Sequence, residues 1–139
     1  MKIDLSRALN KSIDIILRDI VNGINRGTQF RHRFKPNAPS TIAQKGHDKV
    51  LVGEKRSWET EANFKVEHAT PAKQESSVTL PEGTEDYALY NQTGTRRGIP
   101  SRPWWGISQK AQRQIEPIID KELNDIIDFG LQSAGFRKL

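Results

Sequence analysis

The sequence predicts an α+β fold: an N-terminal helix, a small antiparallel sheet, and a C-terminal helix, kinked or broken near Pro117, that packs on the sheet. Three observations carry that expectation. Apolar residues over residues 4–22 recur at the spacing of one helical face. Two short runs, residues 63–68 and 75–80, alternate apolar and polar, which is the period of a half-buried strand. Helical spacing then returns over residues 108–134.

The first helix rests on Leu5, Leu9, Ile13, Ile16, Ile20 and Ile24, with Ile15 and Leu17 off that stripe and widening the apolar face. Asp4 or Ser6 caps its start, and Gly23 and Gly27 end it. The segment RGTQFRHRFK follows, basic with Phe30 and Phe34 interleaved, and reads as a flexible loop over about residues 25–36. Residues 36–46 read as a turn and a short helix, with hydroxyls after Pro39 to cap it and Gly46 to stop it. Residues 63–68 and 75–80 form the hairpin, with one wet face. Residues 50–58 supply a candidate further strand. His68 falls on the apolar side of its strand, as a half-buried structural residue.

Residues 87–108 hold both tyrosines, two of the three tryptophans, three glycines, two prolines and three arginines. Tyr87, Ala88 and Tyr90 make a helical turn or a strand end, stopped by Gly94. Pro100 and Pro103 fix φ and push Ile99 and Arg102 toward extended geometry. In an extended chain neighbouring side chains point to opposite sides, so Trp104 and Trp105 cannot both face one core. One packs inside; the other covers a helix or loop, or is exposed as a contact residue. In the last helix Ala111, Ile115, Ile118, Ile119, Leu123, Ile126, Ile127 and Leu131 form the stripe. Pro117 implies a kink near Glu116 or a second helix beginning there. Residues 135–139 read as a frayed tail.

At 139 residues the chain has the length of a single domain. Hydrophobic content is 35% and mean hydropathy −0.70, which allows one thin core and leaves room for help from oligomerisation. The net charge of +5 permits, without demanding, an acidic or nucleic-acid partner. The absence of cysteine excludes disulfides, thiolate zinc sites and a cysteine nucleophile. The N-terminus is too charged for a secretory signal, and no apolar run is long enough to span a membrane. His32, His47 and His68 lie in unrelated settings without metal-ligand spacing. With no catalytic or nucleotide-binding motif, neither enzymatic activity nor a cofactor is expected.

The order Tyr87-Ala88, Gln92, Gly94, Ile99-Pro100, Arg102-Pro103-Trp104, Gly106, Ser108 resembles the phage virion morphogenesis family, which includes Mu-like and related tail completion proteins. A second block, Phe34-Lys35-Pro36-Asn37-Ala38-Pro39-Ser40-Thr41 with Lys45 and Leu51-Val52-Gly53, is similar to the family as well. Asn91 stands where the family often has His, and Trp105 where it often has Leu. The resemblance implies a structural protein that completes the tail or joins head to tail at the neck. Such a protein works in the virion, after assembly in the host bacterial cytoplasm, by contact with other tail or neck proteins and by self-association into a ring. Arg96, Arg97, Arg102, Trp104 and Trp105 are the expected contact residues, with Phe30, Arg31 and Arg33 as a second patch. A structural reading stands beside this one: Arg102-Pro103-Trp104 locks the last helix onto the sheet. The alternative function is a small basic nucleic-acid-binding protein, using the basic loop and Arg96-Arg97.

Overall fold

Helix α1 (Ser6–Arg26) lays its apolar face along the core. Ile13, Leu17, Ile20, Val21 and Ile24 are buried, so Leu17 lies at the centre of the stripe rather than beside it. The computed structural model describes residues 3–53, 58–96 and 98–133. Leu5 precedes α1 without a side-chain cap, and one residue before it the Asp4 carboxylate accepts from the Ser6 N–H at 2.9 Å. Gly27, at φ 75°, closes its end in the left-handed conformation. Gly23 does not end the helix. It is a buried position inside it, where a Cβ would meet the Gln29 side chain and come within 2.8 Å of the Thr28 carbonyl oxygen.

What needs that gap is a hairpin. Strands β1 (Thr28–Gln29) and β2 (His32–Arg33) pair antiparallel, Thr28 opposite Arg33 and Gln29 opposite His32. Phe30 and Arg31 form the two-residue turn, both at positive φ (52° and 64°). That is the backbone sense a tight hairpin demands, usually met by Asn or Gly. The stretch expected to be a flexible basic loop therefore contains a β-ribbon folded back on α1.

Helix α2 (Pro39–Lys45) starts with Pro39 in its first turn and no side-chain cap, and ends at Gly46 in the left-handed region. Residues 50–53 carry buried Val50 and Leu51 but form no strand; residues 54–57, part of the expected further strand, lie outside the described residues. A 3₁₀ turn (Glu61–Asn63) leads into β3 (Lys65–Glu67), which pairs antiparallel with β4 (Ser77–Thr79). Val66 opposes Val78 and both pack on the core, while Lys65, Glu67, Ser77 and Thr79 face outward. The described residues thus hold two two-stranded sheets rather than one. His68 corrects its expectation: β3 ends at Glu67, the alternation stops there, and the imidazole is exposed beside Asp14 at 3.5 Å.

Helix α3 (Glu85–Thr93) ends at Gly94, and α4 (Gln109–Ser133) runs as one helix with Pro117 inside it. Of the two expectations at Pro117, a second helix starting there is therefore corrected. The proline lies on the exposed side of a continuous helix that packing on α1 supports. The helices α1 and α4 are antiparallel: Asp19 meets Ser108 at one end, and Arg7 meets Glu122 at the other. The expected frayed tail, residues 135–139, lies outside the described residues.

The core gathers on two tryptophans. Trp58 and Trp104, both 0% exposed, stack with centroids 4.3 Å apart. Leu17, Ile20, Val21, Ile24, Phe34, Leu51 and Phe64 belong to the same cluster. The Trp58 indole N–H donates to the buried Thr84 hydroxyl at 3.1 Å, tying the start of α3 to the stack. Trp104→Ala is expected to destabilise the fold by about 3–5 kcal/mol, the range for emptying a fully buried aromatic site. Urea unfolding followed by circular dichroism measures it; a loss below about 1 kcal/mol would contradict the burial.

Candidate functional site

Two features stand out: a buried arginine clamp and a basic pocket. The clamp comes from the proline-stiffened strip. Arg102 is 6% exposed. Its guanidinium donates to the Lys35 carbonyl (2.7 Å), the Pro36 carbonyl (3.2 Å), and the side-chain oxygens of Asn37 (3.3 Å) and Asn91 (3.2 Å). Its backbone N–H donates to the Asn91 carbonyl at 2.6 Å. Next to it the Gln92 side-chain oxygen accepts from the N–H groups of both Trp104 (3.0 Å) and Trp105 (3.2 Å). A planar fork with fixed donors suits such divergent acceptors; an ammonium does not.

This corrects two expected contact residues. Arg102 and Trp104 are interior groups, because the strip is pinned by Asn91 and Gln92 and turned toward Trp58. The expectation that the two tryptophans cannot share a core is corrected as well. The chain bends at residues 105–106, Gly106 adopts φ 140°, and the two indoles meet edge to face at 5.5 Å. Trp105 is half-buried and lies along Phe64. Arg96 is exposed on the loop after α3, and Arg97 lies outside the described residues.

The pocket, of about 600 Å³, forms where α1, the β1–β2 turn and the start of α4 converge. Arg26, Arg31, Lys110 and Arg113 give it four cationic groups, and Phe30 and Ile107 give it apolar surface. At its base Asp19 accepts from the Gln29 amide at 3.2 Å and from the Ser108 hydroxyl at 2.7 Å. The Ser108 oxygen in turn accepts from the Ala111 N–H at 3.1 Å, which caps α4. The first turn of α4 carries no acid. Positive charge at a helix N-terminus opposes the helix dipole, so Lys110 and Arg113 raise the attraction for an incoming anion at some expense to the helix.

Phe30 and Arg31, from the expected second patch, line this pocket; Arg33 is exposed on β2 and is not among its lining residues. Arg26, the first residue of the expected basic segment, lines it as well, whereas sequence reading missed Lys110 and Arg113 as companions. The signal was present: Lys110 and Arg113, three residues apart, share one face of a helix whose first turn lacks acids. Among the described residues no cluster of three or more metal-ligating side chains forms, and no helix is long and apolar enough to cross a membrane. Compared with known protein families, with curated proteins and with solved structures, the chain matches none.

Arg102→Ala is expected to destabilise the chain by about 3 kcal/mol, because several buried acceptors lose their donor together. Arg102→Lys should recover little of that loss. Equilibrium urea unfolding of the two variants side by side tests it, and a full rescue by lysine would contradict the fork geometry. Ser108→Ala should cost about 1 kcal/mol through the lost cap, read as a lower urea midpoint at unchanged slope.

Proposed function

We propose that the chain is a bacteriophage assembly protein that completes the tail or joins head to tail at the neck through protein–protein contacts. One observation carries the reading. The two blocks that resemble the virion morphogenesis family are some 65 residues apart in sequence, and Arg102 of one block holds Lys35, Pro36 and Asn37 of the other in a single hydrogen-bonded clamp. Residues of the two blocks therefore act together in one clamp, which supports reading them as parts of one frame. The surface supports the same reading. Tyr87, Leu89 and Tyr90 on α3 and Phe129 on α4 are large apolar residues left exposed, and aromatics with arginine make up the common anchors of protein interfaces.

Electron microscopy of lysates from the parent phage with this gene inactivated tests the proposal. Filled heads and tails left unjoined, or tails with abnormal ends, are the expected outcome. Joined, infectious particles of normal shape would overturn it.

A further inference from the structure

The basic pocket holds more charge than the fold requires. At about 600 Å³ it falls within the range of small-molecule sites, about 300–1,000 Å³. Its lining sets four cations, Arg26, Arg31, Lys110 and Arg113, against one carboxylate, Asp19. Among the described residues none of the four cations pairs with a carboxylate. Only Arg26 makes a side-chain hydrogen bond, to the Asn22 carbonyl at 3.3 Å. Gln109 and Lys110, the first two residues of α4, line the pocket too, so the positive end of that helix adds to the field. Like charges gathered in one concavity repel each other and weaken the folded state. A bound polyanion removes that cost.

The pocket is also more than a set of charges. Phe30 is half-buried and stands outside the core cluster. Its ring packs over Gly106, where a Cβ would come within 3.3 Å of the ring Cζ. Ile107, 58% exposed, adds a second apolar surface. The core gains little from either residue, and the pocket gains a flat apolar wall. Asp19 supplies the third kind of contact. One of its oxygens, Oδ2, takes both the Gln29 amide and the Ser108 hydroxyl. The other, Oδ1, accepts no hydrogen bond among the described residues.

These three contacts narrow the ligand. A carboxylate in the lining disfavours a molecule that is anionic throughout, such as inorganic polyphosphate or a run of acidic side chains. It suits a ligand that also brings a hydroxyl or amine donor. The half-exposed ring suits a flat heterocycle, since every base has a face that stacks on an aromatic side chain. Arginine forks and a lysine suit phosphate oxygens. A nucleic-acid strand spreads its phosphates along its length, whereas these cations converge on one cavity of single-nucleotide size. We propose that the pocket is a binding site for a nucleoside triphosphate. The phosphates lie among Arg26, Arg31, Lys110 and Arg113, the base lies against Phe30 and Ile107, and a base amine or sugar hydroxyl donates to Asp19. The proposal is of binding alone and does not rest on the assembly role.

Isothermal titration calorimetry of the full chain with ATP, ADP, AMP and inorganic tripolyphosphate tests it. Affinity is expected to fall by about fivefold or more with each phosphate removed, and with rising salt. Tripolyphosphate should bind more than about tenfold more weakly than ATP, because it lacks the ring and the donors. Lys110→Gln with Arg113→Gln should weaken ATP by more than about tenfold. Glutamine keeps the helix propensity and removes cations from the helix start, so this variant should melt no lower than wild type. Phe30→Gly places glycine at φ 52°, which it adopts without strain. It should bring ATP affinity down toward that of tripolyphosphate and leave tripolyphosphate binding unchanged, which shows the cations still in place. No binding of ATP at millimolar concentration would overturn the proposal. So would tripolyphosphate binding as tightly as ATP, which would mean attraction by charge alone, or an ATP affinity indifferent to Phe30→Gly. A single-stranded oligonucleotide bound more tightly than ATP, and lost with Lys110→Gln and Arg113→Gln, would give the pocket to nucleic acid instead. None of these results depends on particle morphology, so the nucleotide site and the assembly role can fail separately.

Discussion

Arg102 is buried among carbonyl and amide oxygens, and the rest of the structure leans on that burial. Its fork fixes residues 35–37 and Asn91 at once, which holds the chain after α3 against the chain before α2. With the strip held there, Gln92 can accept from both tryptophan N–H groups, and Trp104 lies over Trp58. Trp58 in turn reaches Thr84 at the start of α3. Four residues after Trp104, Ser108 caps α4 and bonds to Asp19 of α1. A thin core of this kind, 35% hydrophobic by composition, depends on a few polar groups to choose one arrangement among many apolar contacts.

The molecule separates frame from surface more sharply than its sequence suggests. The motif with the most arresting composition, arginine next to proline next to two tryptophans, turns mostly inward. The surface features are dispersed in sequence: an arginine at the end of α1, a phenylalanine and an arginine in a hairpin turn, and a lysine and arginine on α4. Only folding brings them together. Phe30 and Arg31 occupy left-handed backbone positions that glycine or asparagine would hold at less strain. Strained side chains at a pocket wall are the pattern of a site where position outweighs local stability.

Helices α1 and α4 and the β3–β4 hairpin were legible in the sequence because each repeats a period over several residues. Their caps were less so: Gly23 looks like a terminator and is a packing gap, since nothing local announces that Gln29 will fold back over it. The β1–β2 ribbon was hidden because its strands are two residues long and its turn lacks the usual Asn or Gly. The tryptophan pair misled for a related reason: alternation along a strand holds only while the strand continues, and the chain bends at Gly106. The clamp was half legible. Its arginine stood out, but three of its four acceptor residues lie 65 to 67 residues away, and hydrogen-bonded oxygens at that distance leave no trace in spacing or composition.

The pairing of α1 with α4 also sets a timetable. Helix α1 is complete in sequence by Arg26, and the serine it binds on the α4 side is residue 108. At the usual speed of protein synthesis, those intervening residues take roughly 4–16 s to make. For that interval the isoleucine-rich face of α1 is made and has no α4 to cover it. The basic ribbon that folds back on the end of α1 is synthesised immediately afterwards, so it is the first segment able to shield part of that face while the chain is still growing.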